Sequence, residues 1–197
     1  MSNNYVYEVE DSIYINLTNR CTNKCEFCVR YYDEFVYGDL WINHEPSAEE
    51  VIEILKQYDL SKYKEVVFCG YGEPTYRIDA IVKIAEYVHS LGYKTRINTN
   101  GHGNAINNRD ITTELVKAID TIGISLNATD ATKYNAICHS IYKEKAFDIM
   151  LDFAKKCIEK GGKVKLSVVD SIGNEEIEKA QKIADSIGAI LRVRKLI

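Results

Sequence analysis

The sequence predicts an α/β protein whose mainly parallel, curved sheet forms an open partial (β/α)6 barrel of the TIM-like type. Three observations carry this prediction: six short β-branched or alternating segments, helical patterns between them, and glycine or asparagine at many of the boundaries. A repeated strand–helix order calls for right-handed crossovers and therefore a parallel sheet. Because six units are too few for the closed eight-stranded barrel, we expect an open sheet with its functional loops at the carboxyl ends of the strands.

The first two predicted strands each run directly into an unusual loop. Residues 12–17 alternate in the manner of a strand, and residues 65–68 form a short apolar run before glycines. The other four strands are predicted at residues 94–98, 121–126, 164–169 and 190–196.

Five helices are predicted between these strands. The first spans residues 48–58, where Ser47 is the expected N-cap and Glu50 completes a capping box. The others are predicted at residues 78–91, 112–118, 143–160 and 175–187, and three of them stop at Gly92, Gly161-Gly162 and Gly188.

Length and composition limit the possible functions. The 197 residues suit one domain, taken as residues 1–197, and 46% hydrophobic with 27% charged residues is typical of a folded soluble protein. A net charge of −4 argues against bulk nucleic-acid binding, although Arg192 and Arg194 are a local pair suited to one phosphate or carboxylate. No apolar run is long enough to cross a membrane, and no secretory signal precedes the domain, so we expect a cytoplasmic protein.

The six cysteines divide into a cluster and three scattered residues. Cys21, Cys25 and Cys28 fall within eight residues, whereas Cys69, Cys138 and Cys157 have no partner at ligand spacing. In a reducing compartment, clustered thiols favour metal binding over disulfides. Three thiolates leave one iron of a four-iron cubane open, as a reactive cluster requires. Spacing alone also permits a zinc site completed by a distant histidine or cysteine.

The segment Cys21-Thr22-Asn23-Lys24-Cys25-Glu26-Phe27-Cys28 resembles the CxxxCxxC signature of the radical S-adenosylmethionine (SAM) superfamily, including the aromatic Phe27 before the third cysteine. The resemblance implies a [4Fe-4S] cluster on the three cysteines, with SAM bound to the open iron. It also implies that the motif follows the first strand of a partial barrel, and residues 12–17 place it there.

A second motif, Cys69-Gly70-Tyr71-Gly72-Glu73-Pro74, looks like the GGEP element of that superfamily with Tyr71 in place of its first glycine. Glycine lets a backbone approach a ligand closely, and proline rigidifies a turn. In the family this element binds the SAM amino group, which assigns Gly70, Gly72, Glu73 and Pro74 to SAM.

The resemblance assigns further SAM contacts to polar residues near later strand ends. Hydroxyl and amide groups at such positions either bind the SAM carboxylate and ribose or merely cap the backbone. These candidates are Thr99, Asn100, Ser125, Asn127, Ser167 and Arg192.

The implied activity is reductive cleavage of SAM to a 5′-deoxyadenosyl radical, which abstracts hydrogen from an unidentified small-molecule or exposed-residue substrate. An electron donor such as flavodoxin or ferredoxin is implied as a partner. Residues 19–21, 41–51 and 68–75 look like the small radical SAM proteins associated with TatD-type nucleases. A glycyl-radical activase, and a non-catalytic iron–sulfur or zinc protein, are alternatives.

Some side chains near these motifs receive weaker predictions. The tyrosine-rich residues 30–41 form a candidate substrate loop or lid, in which Tyr31, Tyr32, Asp33 and Trp41 are predicted to line a pocket. The histidines lack metal-binding spacing. Cys69 and His102 are next to the motifs but receive no role.

Overall fold

The computed structural model describes residues 4–31 and 37–195, which fold around one seven-stranded sheet in the order β1-β2-β3-β4-β5-β6-β7. β1 pairs antiparallel with β2, and every later neighbour pairs in parallel. The strands are β1 Val6–Val9, β2 Ser12–Ile15, β3 Glu65–Phe68, β4 Thr95–Thr99, β5 Thr121–Ser125, β6 Val164–Val169 and β7 Ile190–Arg194. Within the described residues β1 and β7 do not pair, so the predicted open α/β barrel is confirmed.

The hairpin strand β1 corrects the prediction of six strands. β1 and β2 are joined through Glu10 and Asp11, and Glu10 takes a φ of 52° in place of the expected turn glycine. Without a glycine or an asparagine there, the sequence carried no turn signal. The six parallel strands that were predicted are all present.

The helices cover the convex side of the sheet. They are α1 Ala48–Leu55, α2 Ile78–Ser90, α3 Gly103–Asn107, α4 Thr112–Ala118, α5 Ala131–Cys138, α6 Ala146–Glu159 and α7 Asn174–Ile187. The capping box is present, because the Ser47 side chain accepts from the Glu50 amide and the Glu50 side chain accepts from the Ser47 amide. The short helices α3 and α5 were not predicted, since few of their residues are buried.

Alternation along the strands separates the apolar core from a polar concave face. Ile97, Ile122 and Leu166 are fully buried in the core. The next residue along each strand faces the opposite side of the sheet, where Asn98, Gly123 and Ser167 line a cavity on the concave face. Core formation therefore fixes which polar side chains enter that cavity. None of the helices in the described ranges is long and apolar enough to span a bilayer.

Candidate active site

A cavity of about 230 Å³ runs along the concave face, from the loops at the carboxyl ends of the strands towards the middle of the sheet. It brings together most of the residues predicted from the motifs, namely Cys21, Cys28, Gly70, Gly72, Glu73, Thr99, Asn100, Ser125, Ser167 and Arg192. Cys25, Phe27, Pro74 and Asn127 do not line it.

The turn of residues 70–73 docks directly on the segment that leads into the cysteines. A Cβ atom on Gly70 would lie 2.0 Å from Asn16 Oδ1, and one on Gly72 would lie 2.2 Å from the Thr18 carbonyl oxygen. The Glu73 amide donates to the Arg20 carbonyl at 2.7 Å. These contacts leave room only for glycine, so both glycines are needed for docking as well as for approach to a ligand.

Glu73 links this turn to the end of β4. Its Oε1 accepts from the Thr99 hydroxyl at 2.6 Å and the Thr75 hydroxyl at 2.7 Å, and its Oε2 accepts from the Asn100 amide at 2.7 Å. Burial raises the pKa of Glu73, and these hydrogen bonds oppose the rise. The Glu73 carboxylate and the Thr99 hydroxyl were predicted to bind SAM. In the structure they bond to each other and thereby hold the turn of residues 70–73 against the end of β4.

A second network holds the first cysteine in place. The Thr22 hydroxyl accepts from Asn100 Nδ2 at 2.8 Å and lies 2.9 Å from His102 Nδ1. His102 is fully buried, and its Nε2 lies 3.1 Å from the Ala146 carbonyl oxygen. A neutral ring with hydrogen on Nε2 satisfies both contacts. His102, left without a role by the sequence, therefore anchors the cysteine loop to α6.

Cys25 points away from the cavity towards Cys138, the last residue of α5. The neighbouring Cys138 thiol, together with burial, raises the pKa of Cys25. Asn127 Nδ2 donates to Cys138 Sγ at 3.3 Å. The structure thus places Asn127 beside Cys138, outside the cavity predicted for it.

The motif cysteines are thiol donors of the type that a [4Fe-4S] cluster takes, and Cys21 and Cys28 line one cavity, whereas Cys25 lies outside it beside Cys138. All are free thiols, and burial raises the pKa of Cys21 to about 12 and also raises that of Cys28, so metal must displace their protons. The Asn23 amide points at Cys21 Sγ at 3.4 Å, the type of contact that stabilises a ligating thiolate. Across residues 4–31 and 37–195, no three His, Cys, Asp or Glu side chains are grouped as ligands of one metal ion, the motif cysteines included.

Other predicted pocket residues have different surroundings. Tyr31 is 52% exposed and lies under the Arg30 guanidinium, while Trp41 packs edge-on against Tyr71 at 5.2 Å between ring centroids. Neither lines the cavity. Tyr32 and Asp33 lie outside the described residues.

The cavity also contains side chains that the sequence did not single out. Basic side chains from β4, β6 and β7 enter the cavity. Strand alternation in the sequence indicated this placement, since Lys165 is two residues from Ser167 and Arg194 two residues from Arg192, so each pair shares a face. The unpredicted lining residues include Arg96, Asn98 and Lys165, while Arg194 belongs to the pair that the sequence named for one phosphate or carboxylate.

An open, mainly parallel barrel with a three-cysteine loop at its strand ends defines an α/β protein with a thiol cluster beside its central cavity. The model of the Radical SAM superfamily matches residues 15–187, so the chain belongs to the radical SAM superfamily. The cofactors of that family are a [4Fe-4S] cluster and SAM.

Solved structures support the fold. SuiB from Streptococcus suis bound to S-adenosylmethionine is 20% identical, with a TM-score of 0.65 over 95% of this chain and 38% of that chain. A radical SAM methyltransferase from Sphaerobacter thermophilus is 14% identical, with a TM-score of 0.65 over 95% and 57%. The FeFe-hydrogenase maturase HydG from Carboxydothermus hydrogenoformans is 18% identical, with a TM-score of 0.66 over 94% and 44%.

The chain thus spans 38% to 57% of the length of these structural relatives. Among curated protein sequences, none matches it.

We predict that Gly72→Ala disrupts the site more than an ordinary glycine substitution does. The new methyl group would clash with backbone at Thr18 and Arg20, which should cost about 3 kcal/mol or more of unfolding free energy and lower the iron content after reconstitution. Gly92→Ala is the control, because its Cβ meets open space and only its positive φ costs about 1 kcal/mol. Equal melting temperatures and iron contents for the two variants would contradict the docking argument.

A second prediction concerns acid. Burial lowers the pKa of His102 from 6.5 to about 4, so between these values the unfolded chain binds a proton that the folded chain does not. Stability should therefore fall as the pH drops through this window, by about 3 kcal/mol in all. Urea unfolding across the window should show that His102→Gln lacks this loss. An identical pH dependence in the two proteins would refute the assignment.

Proposed function

We propose that this chain is a radical SAM enzyme in which Cys21, Cys25 and Cys28 hold the cluster and the turn of residues 70–73 receives SAM. The observation that carries the proposal is the shared cavity, because Cys21 and Cys28 line the same space as that turn. When bound, the reduced cluster and SAM supply a 5′-deoxyadenosyl radical that abstracts hydrogen from a substrate.

The chain's own groups suit this role at the cluster. The Asn23 amide donates to Cys21 Sγ, and Asn100 Nδ2 lies 3.8 Å from the same sulfur. Donors of this type lower the cost of holding a buried thiolate. The backbone of Gly70 to Gly72 faces the cavity with carbonyl groups suited to the SAM ammonium group.

Two serines are the best candidates for the polar part of SAM. Ser125 and Ser167 pair across β5 and β6 and line the cavity, and neither hydroxyl bonds to another described residue. Thr99 and Asn127, by contrast, use their polar groups within the chain. The free hydroxyls are therefore available to the SAM ribose or carboxylate.

Three finer features belong to the same proposal. The whole chain, 1–197, acts as a radical SAM core domain, and its substrate is a small molecule or an exposed residue. A flavodoxin or ferredoxin supplies the electron. The resemblance to the TatD-nuclease-associated proteins rests on residues 19–21, 41–51 and 68–75 and stays a prediction.

The central test is SAM cleavage. Anaerobically reconstituted protein with dithionite and SAM should form 5′-deoxyadenosine, measured by liquid chromatography. Cys25→Ala should reduce this by at least about a hundredfold, because a cluster with two thiolate ligands is not held. Cys157→Ala is the matched control, since Cys157 is buried in α6 outside the cavity and should retain cleavage. A cluster-loaded wild-type protein that leaves SAM intact would overturn the proposal.

The contact between Cys25 and Cys138 specifically favours the non-catalytic alternative, because it makes Cys138 a potential fourth ligand of zinc or of an electron-transfer cluster. Cys138→Ala separates the two. If the protein is an enzyme whose cluster has an open iron, the Cys138→Ala variant should keep about four irons per chain and its SAM-cleavage activity. If Cys138 is a ligand, metal content should fall and SAM should fail to perturb the electron paramagnetic resonance spectrum of the wild type.

A further inference from the structure

One wall of the cavity carries three cations without an ion pair to a described residue, although Glu10, Asp11 and Glu65 line the spaces that adjoin Lys165 and Arg192. Lys165 on β6 and Arg192 and Arg194 on β7 all line it. Arg96 also enters, but its guanidinium is paired with Glu65 at 2.8 Å. Among the described residues that line the cavity, Glu73 is the only carboxylate, and it is already bonded to Thr75, Thr99 and Asn100.

The three cations share one face of two adjacent strands. Arg192 pairs with Ser167, and Lys165 stands two residues before Ser167 on the same face of β6. Arg194 stands two residues after Arg192. Like charges placed this closely repel one another unless an anion lies between them.

The three cations on this wall have no ion-pair partner among the described residues, and Arg194 shows this best. Its Nε is buried without a hydrogen-bond partner, and none of the three cations forms an ion pair with a described residue. Burial lowers the pKa of Arg194, and the neighbouring Arg192 guanidinium adds to the lowering. Arg194 as a whole is half-buried, and since arginine keeps its proton, an oxyanion is the partner that its buried Nε–H suits.

Space for such a ligand is left by the neighbouring strand β5. Gly123 on β5 faces the cavity, where a Cβ would lie 3.1 Å from Asn98 Oδ1. Any larger residue there would narrow the gap between β4 and β6. The glycine therefore keeps open the space in front of Lys165, which pairs with it across the sheet.

We propose that Lys165, Arg192 and Arg194 bind an anionic group, a carboxylate or a phosphate, of the substrate, which replaces the assignment of Arg192 to SAM made from the sequence. The assignment of this anion to the substrate rests on the proposed function. SAM carries one carboxylate but also an ammonium and a sulfonium, so its net charge is positive and it cannot balance three cations. An anionic substrate does so, and the cavity that holds these cations also reaches the thiols of Cys21 and Cys28.

The test measures binding of inorganic phosphate, and in a second arm succinate, to the reconstituted holoenzyme by calorimetry at low salt. At least one anion should bind, and saturating SAM should leave that affinity unchanged. Lys165→Gln and Arg194→Gln should each weaken the anion about tenfold, as expected for a lost charge-assisted hydrogen bond. Both variants should bind SAM within about twofold of the wild type.

Two control variants guard against trivial explanations. Lys155→Gln removes the same charge from the exposed face of α6 and should leave anion binding unchanged. Lys165→Arg keeps the charge in the cavity and should retain the affinity, which excludes misfolding as the cause of a loss.

Several results would overturn the inference: neither anion binds, SAM displaces the anion, the cavity variants weaken SAM as much as the anion, or Lys155→Gln weakens binding equally. Binding does not require SAM cleavage. A protein that binds the anion but forms no 5′-deoxyadenosine refutes the proposed function alone, and one that cleaves SAM but ignores both anions refutes this inference alone.

Discussion

The docking of residues 70–73 on the segment before the cysteines is the contact on which the site depends. Two glycines let that turn approach the Asn16 side chain and the backbone of Thr18 and Arg20 in the loop after β2, with no space for a side chain at Gly70 or Gly72. Glu73 then connects the same turn to Thr99 and Asn100 at the end of β4. One short turn thereby fixes three consecutive strand ends relative to one another, and cavity shape follows from their spacing.

The cysteine loop is fixed by interactions that do not involve metal. Thr22 is held between Asn100 and His102, and the loop backbone bonds to the end of α5 through Lys24 and the Cys138 carbonyl oxygen. A buried network of this kind is costly to disrupt, because each polar group loses its only partner. The fold therefore positions Cys21 before a cluster arrives, and the cluster does not have to organise that part of the loop.

Pattern-based reasoning succeeded where the local sequence determines the structure. Alternation and glycine stops located all six parallel strands, and the capping box located the start of α1. The antiparallel β1 was missed because Glu10 occupies the turn position where glycine is expected. The roles of Glu73 and His102 were beyond reach for a different reason: a polar side chain can face a ligand or a neighbouring loop, and only the tertiary arrangement decides between them.

The positive charge in the cavity comes from where Lys165, Arg192 and Arg194 lie in the fold and not from an excess of basic residues in the chain. The chain has 25 basic and 29 acidic residues, so its surface is slightly acidic on average. Many lysines lie on outer helices beside carboxylates, as Lys179 does with Glu175 and Glu176. Against that background, cations without ion pairs on β6 and the edge strand β7 oppose folding, since they repel one another and the half-buried Lys165 and Arg194 lose part of their water. An anion bound between the cations relieves their repulsion, and this gain in electrostatic free energy adds to its binding. A neutral or positive ligand has no such gain, so the proposed site favours negative charge.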